Sequence, residues 1–124
     1  MVTNVNIKMN ENMDLKELYL KLQKAYKEND KIRYVLDARG GTVSMGIMQK
    51  FKTVFDKFET QAKEKLVETV ILVDDGVKKM MMKSFIRIFN SDNKIPYEII
   101  TTLGDNWISE SIVLLNKITC NFYE

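Results

Sequence analysis

Thr69 to Val73 reads Thr-Val-Ile-Leu-Val, apolar at nearly every position, and is cut off by Asp74, Asp75 and Gly76. A strand with one wet face alternates apolar and polar residues, so a run without alternation belongs to a strand covered on both faces, the habit of parallel sheets. Parallel neighbours need long crossovers, usually helical. This run therefore predicts a central strand with helical connections on either side of it, and a direction parallel to its neighbours.

The rest of the chain supplies those elements. Val5, Ile7 and Met9 alternate with Asn6 and Lys8, as in a half-buried strand. Asp14 and Glu17 are spaced as a capping box, and Leu15, Leu18, Tyr19, Leu22, Ala25 and Tyr26 follow at helical spacing as far as Asn29. Arg33 to Ala38 reads as a second strand. Ile47, Met48, Phe51, Val54, Phe55, Phe58 and Ala62 then mark one long helix with a single apolar stripe. A third helix is predicted near Val77 to Phe89, burying Val77, Met81, Phe85 and Phe89, and Asn90 to Asn93 is rich in turn residues. Pro96 precedes a fourth strand at Tyr97 to Thr102. Gly104, Asp105 and Asn106 open a last helix through Trp107, Ile108, Ile112, Val113 and Leu115. The order βαβαβαβα, with no internal linker or repeat, predicts one α/β domain over residues 1–124, built on a mainly parallel four-stranded sheet with right-handed crossovers. The strands can follow one another in sequence order, as in a βα superhelix, or reverse at a switch point, as in a flavodoxin-like doubly wound sheet.

Composition removes many chemistries. Histidine is absent and Cys120 is the only cysteine, which excludes serine triads with histidine, thiolate–imidazole pairs, His-containing metal sites and an internal disulfide. A net charge of +2 is too mild for nucleic-acid binding, which demands a concentrated basic face. The N-terminus lacks the basic and apolar regions of a signal peptide, and no apolar run reaches the roughly 18 to 20 residues of a membrane span. The expectation is a cytoplasmic protein without integral membrane contact, and without a metal or cofactor.

Chemistry concentrates between Arg33 and Gly46, where an apolar strand ends in Asp37, turns through Gly40 and Gly41, and enters a helix behind Ser44. Glycine-hinged loops leading to helix N-termini are where α/β domains place ligands and partners. Ser44 reads as an N-cap or as a modified or binding serine. Gly40 and Gly41 read as a turn that needs positive φ or, as the lesser alternative, as backbone amides cradling a phosphate, since the lysine and later glycines of a nucleotide fingerprint are missing. Asp37, Asp74 and Asp75 fall at strand ends, where they cap helices or converge on Mg²⁺. In the third helix, Met82 and Ile86 lie on a flank between the apolar stripe and Lys79, Lys83 and Arg87. Such surplus apolar surface suits a protein partner or a weak contact with acidic lipid.

Val35-Leu-Asp-Ala-Arg-Gly-Gly-Thr-Val-Ser-Met-Gly-Ile47 resembles STAS domains, the anti-sigma-factor antagonists, in which a strand ending in Asp leads through a loop to a helix opening Ser-Ser-Gly-Leu. Ser44, Gly46 and Ile47 match that opening. The resemblance implies a βα superhelix and a serine at position 44 that is phosphorylated by a partner kinase. It also implies a docking face formed by the loop and helix start. Two further segments, Asp37 to Gly40, and Gln61 to Leu66 running into Thr69 to Val73, are similar to CRAL-TRIO lipid-transfer domains and imply a lipid- or small-ligand-binding alternative. The reading taken forward is a regulatory interaction domain rather than an enzyme. It binds a protein kinase or regulator through Arg39, Gly40, Gly41, Thr42, Met45 and Ile47, with Met82 and Ile86 adding surface and Ser44 as the switch. A Mg²⁺-dependent phosphotransfer domain using the three aspartates is the remaining alternative.

Overall fold

Apolar alternation and continuous apolar runs become five parallel strands in this computed structural model, which describes residues 2–9, 12, 14–40, 43–89, 96–102 and 120–123. They are β1 (Val2–Lys8), β2 (Ile32–Asp37), β3 (Leu66–Val73), β4 (Tyr97–Thr101) and β5 (Cys120–Tyr123), joined in the order β4-β3-β2-β1-β5. The four strands read from the sequence follow one another in sequence order, as in a βα superhelix, and the order reverses only after β4, since β5 lies on the other side of β1 and makes a switch point there. β5, which the sequence reading did not include, pairs parallel with β1 and extends the sheet to five strands. β3 lies inside the sheet between β2 and β4, parallel to both, as its lack of alternation requires. It also begins three residues earlier than its apolar run, at Leu66. The last helix read over Gly104 to Leu115 lies outside the described residues, as does the turn at Asn90 to Asn93.

The crossovers are α1 (Leu15–Glu28), the pair α2 (Met45–Asp56) and α3 (Glu59–Lys65), and α4 (Gly76–Phe89). Right-handed crossovers that always step in the same direction put their helices on the same face of the sheet. Leu18, Leu22, Ala25 and Tyr26 of α1, Met48, Phe51 and Val54 of α2, and Met82, Phe85 and Ile86 of α4 accordingly share one core with Val5, Ile7, Ile32, Tyr34, Leu36, Ile71 and Val73. Asp14 caps α1, its carboxylate accepting from the Lys16 N–H at 2.9 Å.

The single long helix expected from Ile47 to Ala62 is two helices. Lys57 and Phe58 close α2 with tight bonds from their N–H groups to the Val54 and Phe55 carbonyls, and α3 starts after Phe58. Phe58 is buried at the break, its ring 5.5 Å from Tyr26 and 5.2 Å from Tyr19. Residues 55, 58 and 62 still read as one stripe because a short break leaves them on the same side. Beneath them the Tyr26 and Tyr34 hydroxyls hydrogen-bond to each other. Burial outweighs that bond and pushes the Tyr26 phenol up to about 12, and Tyr34 is also raised well above its ordinary value. Both stay neutral, as a buried pair must.

The apolar phase of α4 also differs from the sequence reading. Val77 is 74% exposed and Met81 only half-buried, whereas Met82 (1% exposed) and Ile86 are core residues alongside Phe85. The eight apolar side chains of this helix support two overlapping stripes, and packing against β3 and β4 selects the one rotated by a single position. Met82 and Ile86 are therefore not partner-binding surface. The side chain of Phe89 lies outside the described residues.

The opposite face of the sheet carries Val35, Val70 and Leu72, all buried, with Ile100 beside them. It also carries a polar row. Asn4, Arg33 and Glu68 are directly paired across β1, β2 and β3, because a shift of register after Ile32 sets Arg33 against Glu68 and skips Val67. Arg33 Nε donates to Glu68 Oε2 at 3.0 Å and a terminal nitrogen donates to Asn4 Oδ1 at 3.2 Å.

Candidate functional site

The carboxyl end of the sheet holds the loop from β2 to α2. Beyond Asp37, Ala38 is buried and its N–H continues the ladder to the Leu72 carbonyl, so the loop starts from a fixed point beside β3. Asp37 then folds the chain back on itself. Its carboxylate accepts from the Arg39 N–H at 3.0 Å, from Arg39 Nε at 3.0 Å and from Arg39 Nη2 at 3.1 Å, and Lys8 from β1 approaches to 3.4 Å. Gly40 follows at φ +63°, a left-handed backbone suited to glycine. A Cβ at Gly40 would meet no neighbour, so the requirement there is conformational rather than steric crowding.

A second carboxylate holds the loop from the β3 side. The Gly40 N–H donates to Asp74 Oδ2 at 2.9 Å, and the Lys78 ammonium pairs with Asp74 Oδ1 at 3.0 Å from the first turn of α4. Asp75 caps that helix, accepting from the Lys78 N–H at 2.7 Å. The three aspartates read as Mg²⁺ ligands are thus each engaged by backbone N–H groups, with Arg39 and Lys8 also at Asp37 and the Lys78 ammonium at Asp74. Among the described residues no cluster of three or more Asp, Glu, Cys or His side chains could hold a metal ion.

These contacts fix the charge state. Burial pushes the Asp37 carboxyl up, but the Arg39 hydrogen bonds and the Arg39 and Lys8 charges more than offset it, leaving its pKa below the ordinary 3.8. The Gly40 N–H, then Lys78, hold Asp74 below 3.8 as well. A carboxyl whose pKa is lower folded than unfolded stabilises the fold above the unfolded value, and that contribution is lost as pH falls through the folded value. The Gly40 amide shift is accordingly expected to stay constant from neutral pH down to the unfolded value and to titrate with a midpoint below 3.8. In Asp74→Asn that titration should shrink to the smaller contribution of Asp37. A wild-type midpoint at or above 3.8 would show that the bond is not formed in solution.

Ser44 closes the site. It is exposed, has extended backbone, and caps α2 by accepting from the Ile47 N–H at 3.2 Å. The capping reading is thus realised. Met45 beside it is exposed and Ile47 half-buried against the core, while Val43 is buried and pins the last part of the loop. Arg39 is largely occupied by Asp37 and Gly40 is exposed. Gly41 and Thr42, also read as partner-binding, lie outside the described residues.

Asp37, Arg39, Gly40, Ser44 and Met45 therefore share one end of the sheet with Asp74 and Lys78. The role of Lys8 was not legible in the sequence, since it reaches a carboxylate at the end of another strand, whereas Lys78 lies four residues after Asp74, a spacing that could have signalled the pair. The class defined here is an α/β domain with a charged loop start, held at Arg39 and Gly40, and an exposed, serine-capped helix N-terminus at the carboxyl edge of a parallel sheet. No family model, curated protein or solved structure matches the chain.

Proposed function

We propose that this domain is a regulatory interaction module that binds a protein partner through residues 39–47 and is switched by phosphorylation of Ser44, acting by binding rather than by catalysis. The observation that carries the reading is the exposed Ser44 hydroxyl at the N-cap of α2, four residues after Gly40, where two carboxylates hold the start of the loop. A phosphoryl group there would add nearly two negative charges at the positive end of a 12-residue helix, where the unpaired N–H groups favour an anion. The exposed Met45 beside it supplies an adaptable apolar contact. Modification would change the charge of the docking surface without requiring the fold to change.

Ser44→Ala is expected to cost about 1 kcal/mol through the lost cap, and Ser44→Asp to cost less because it retains a capping oxygen. Capture of a binding protein from host lysate should differ strongly between wild type and Ser44→Asp while their thermal melts stay close. Equal capture by wild type, Ser44→Ala and Ser44→Asp would sink the proposal.

A further inference from the structure

The two most exposed large apolar side chains described are Val77 and Met80, at 74% and 72%, one turn apart at the start of α4. The same face continues through Lys83, Ser84 and Arg87, all exposed, at the three- and four-residue spacings that make side chains neighbours on a helix. α4 carries Lys78, Lys79, Lys83 and Arg87 and no acidic residue, in a chain whose net charge is only +2. One helix thus holds more positive charge than the molecule as a whole. Lys78 is engaged with Asp74, and no carboxylate among the described residues pairs with Lys79, Lys83 or Arg87.

We propose that the outer face of α4 docks on an anionic lipid surface, with Val77 and Met80 entering the headgroup region and Lys79, Lys83 and Arg87 meeting lipid phosphates and carboxylates. Charge selects this occupant. Lysine is depleted at protein interfaces, where its ammonium must be desolvated, whereas at an anionic bilayer it keeps its water and strengthens partition about fivefold per cation. The long stems of Lys83 and Arg87 let the charges spread to headgroup level while the apolar pair sits lower. The contact is peripheral: among the described residues no helix is long and apolar enough to cross a membrane. It is independent of the Ser44 reading, because none of these side chains belongs to the loop.

The test is co-sedimentation of the full chain with vesicles of phosphatidylcholine alone or mixed with phosphatidylserine, at low and high salt. Binding is expected only to the mixed vesicles and only at low salt. Val77→Ser with Met80→Ser should weaken it about tenfold, by loss of buried apolar area. Lys83→Glu with Arg87→Glu should weaken it more than about twentyfold. Both pairs replace exposed side chains, so thermal melts should match wild type and separate lost binding from lost folding. Protein that stays in the supernatant with phosphatidylserine vesicles would overturn the proposal, and so would binding that survives both pairs of substitutions or high salt. Capture of an acidic protein by this face without vesicle binding would also overturn it, and assign the face to that protein.

Discussion

Met82→Lys is expected to unfold the domain, whereas Met80→Lys, two positions earlier, is expected to shift stability by no more than about 0.5 kcal/mol. Met82 is 1% exposed and lies in the core shared with Phe85, Ile86, Ile71 and Val73. Removing a buried methionine costs about 2 to 5 kcal/mol, and lysine either buries an ammonium or pushes the helix off the sheet at a further cost of several kcal/mol. A domain of this size has only about 5 to 15 kcal/mol in hand. Met80 is 72% exposed and loses nothing of the kind. Circular dichroism and urea titration of the two variants decide the matter. A cooperatively folded Met82→Lys within about 1 kcal/mol of wild type would mean that the other α4 stripe faces the sheet.

Glu68→Ala is expected to destabilise the protein by about 3 kcal/mol, while Arg33→Met changes stability by less than about 1 kcal/mol. The asymmetry follows from burial. Arg33 is 1% exposed and Glu68 is 18% exposed, so removing the carboxylate strands a guanidinium inside the molecule. Arg33 already has one terminal nitrogen, Nη2, without a hydrogen-bond partner, and without Glu68 only Asn4 would remain to it among the described residues. Removing the arginine instead leaves a carboxylate that can turn to water, and methionine fills much of the vacated volume. In the Arg33→Met background, Glu68→Ala should therefore become nearly neutral, a coupling that urea unfolding of the two single variants and the double variant measures directly. Additive losses would show that the ion pair is not what holds this row.

Local order was legible because it is written in neighbouring residues. The unbroken apolar run at Val70 to Val73 announced an inner parallel strand, Asp14 and Ser44 announced helix starts, and the spacing of Leu18, Leu22 and Tyr26 announced the buried side of α1. The candidate loop was legible for the same reason, since an acid, glycines and a capping serine lie within a few residues of one another.

Features that depend on residues far apart in the chain were decided only by tertiary structure. Gly40 meets Asp74 across 34 positions and Arg33 meets Glu68 across 35, and the second pairing depends on a register shift in β3 that no periodicity predicts. β5 is four residues long and acquires its place by pairing with β1 at the other end of the chain. In α4 the sequence determined that the helix is amphipathic, but its many apolar residues allow two phases of nearly equal merit. The sheet beneath, by accepting Met82, Phe85 and Ile86, left Val77 and Met80 in water. Backbone periodicity is a property of adjacent residues, so the sequence by itself determined β1 to β4 and the helical stretches between them, but neither β5 nor the break at Phe58. Which face is buried and which charges meet are set by contacts between elements, and those energies exist only once the chain is folded.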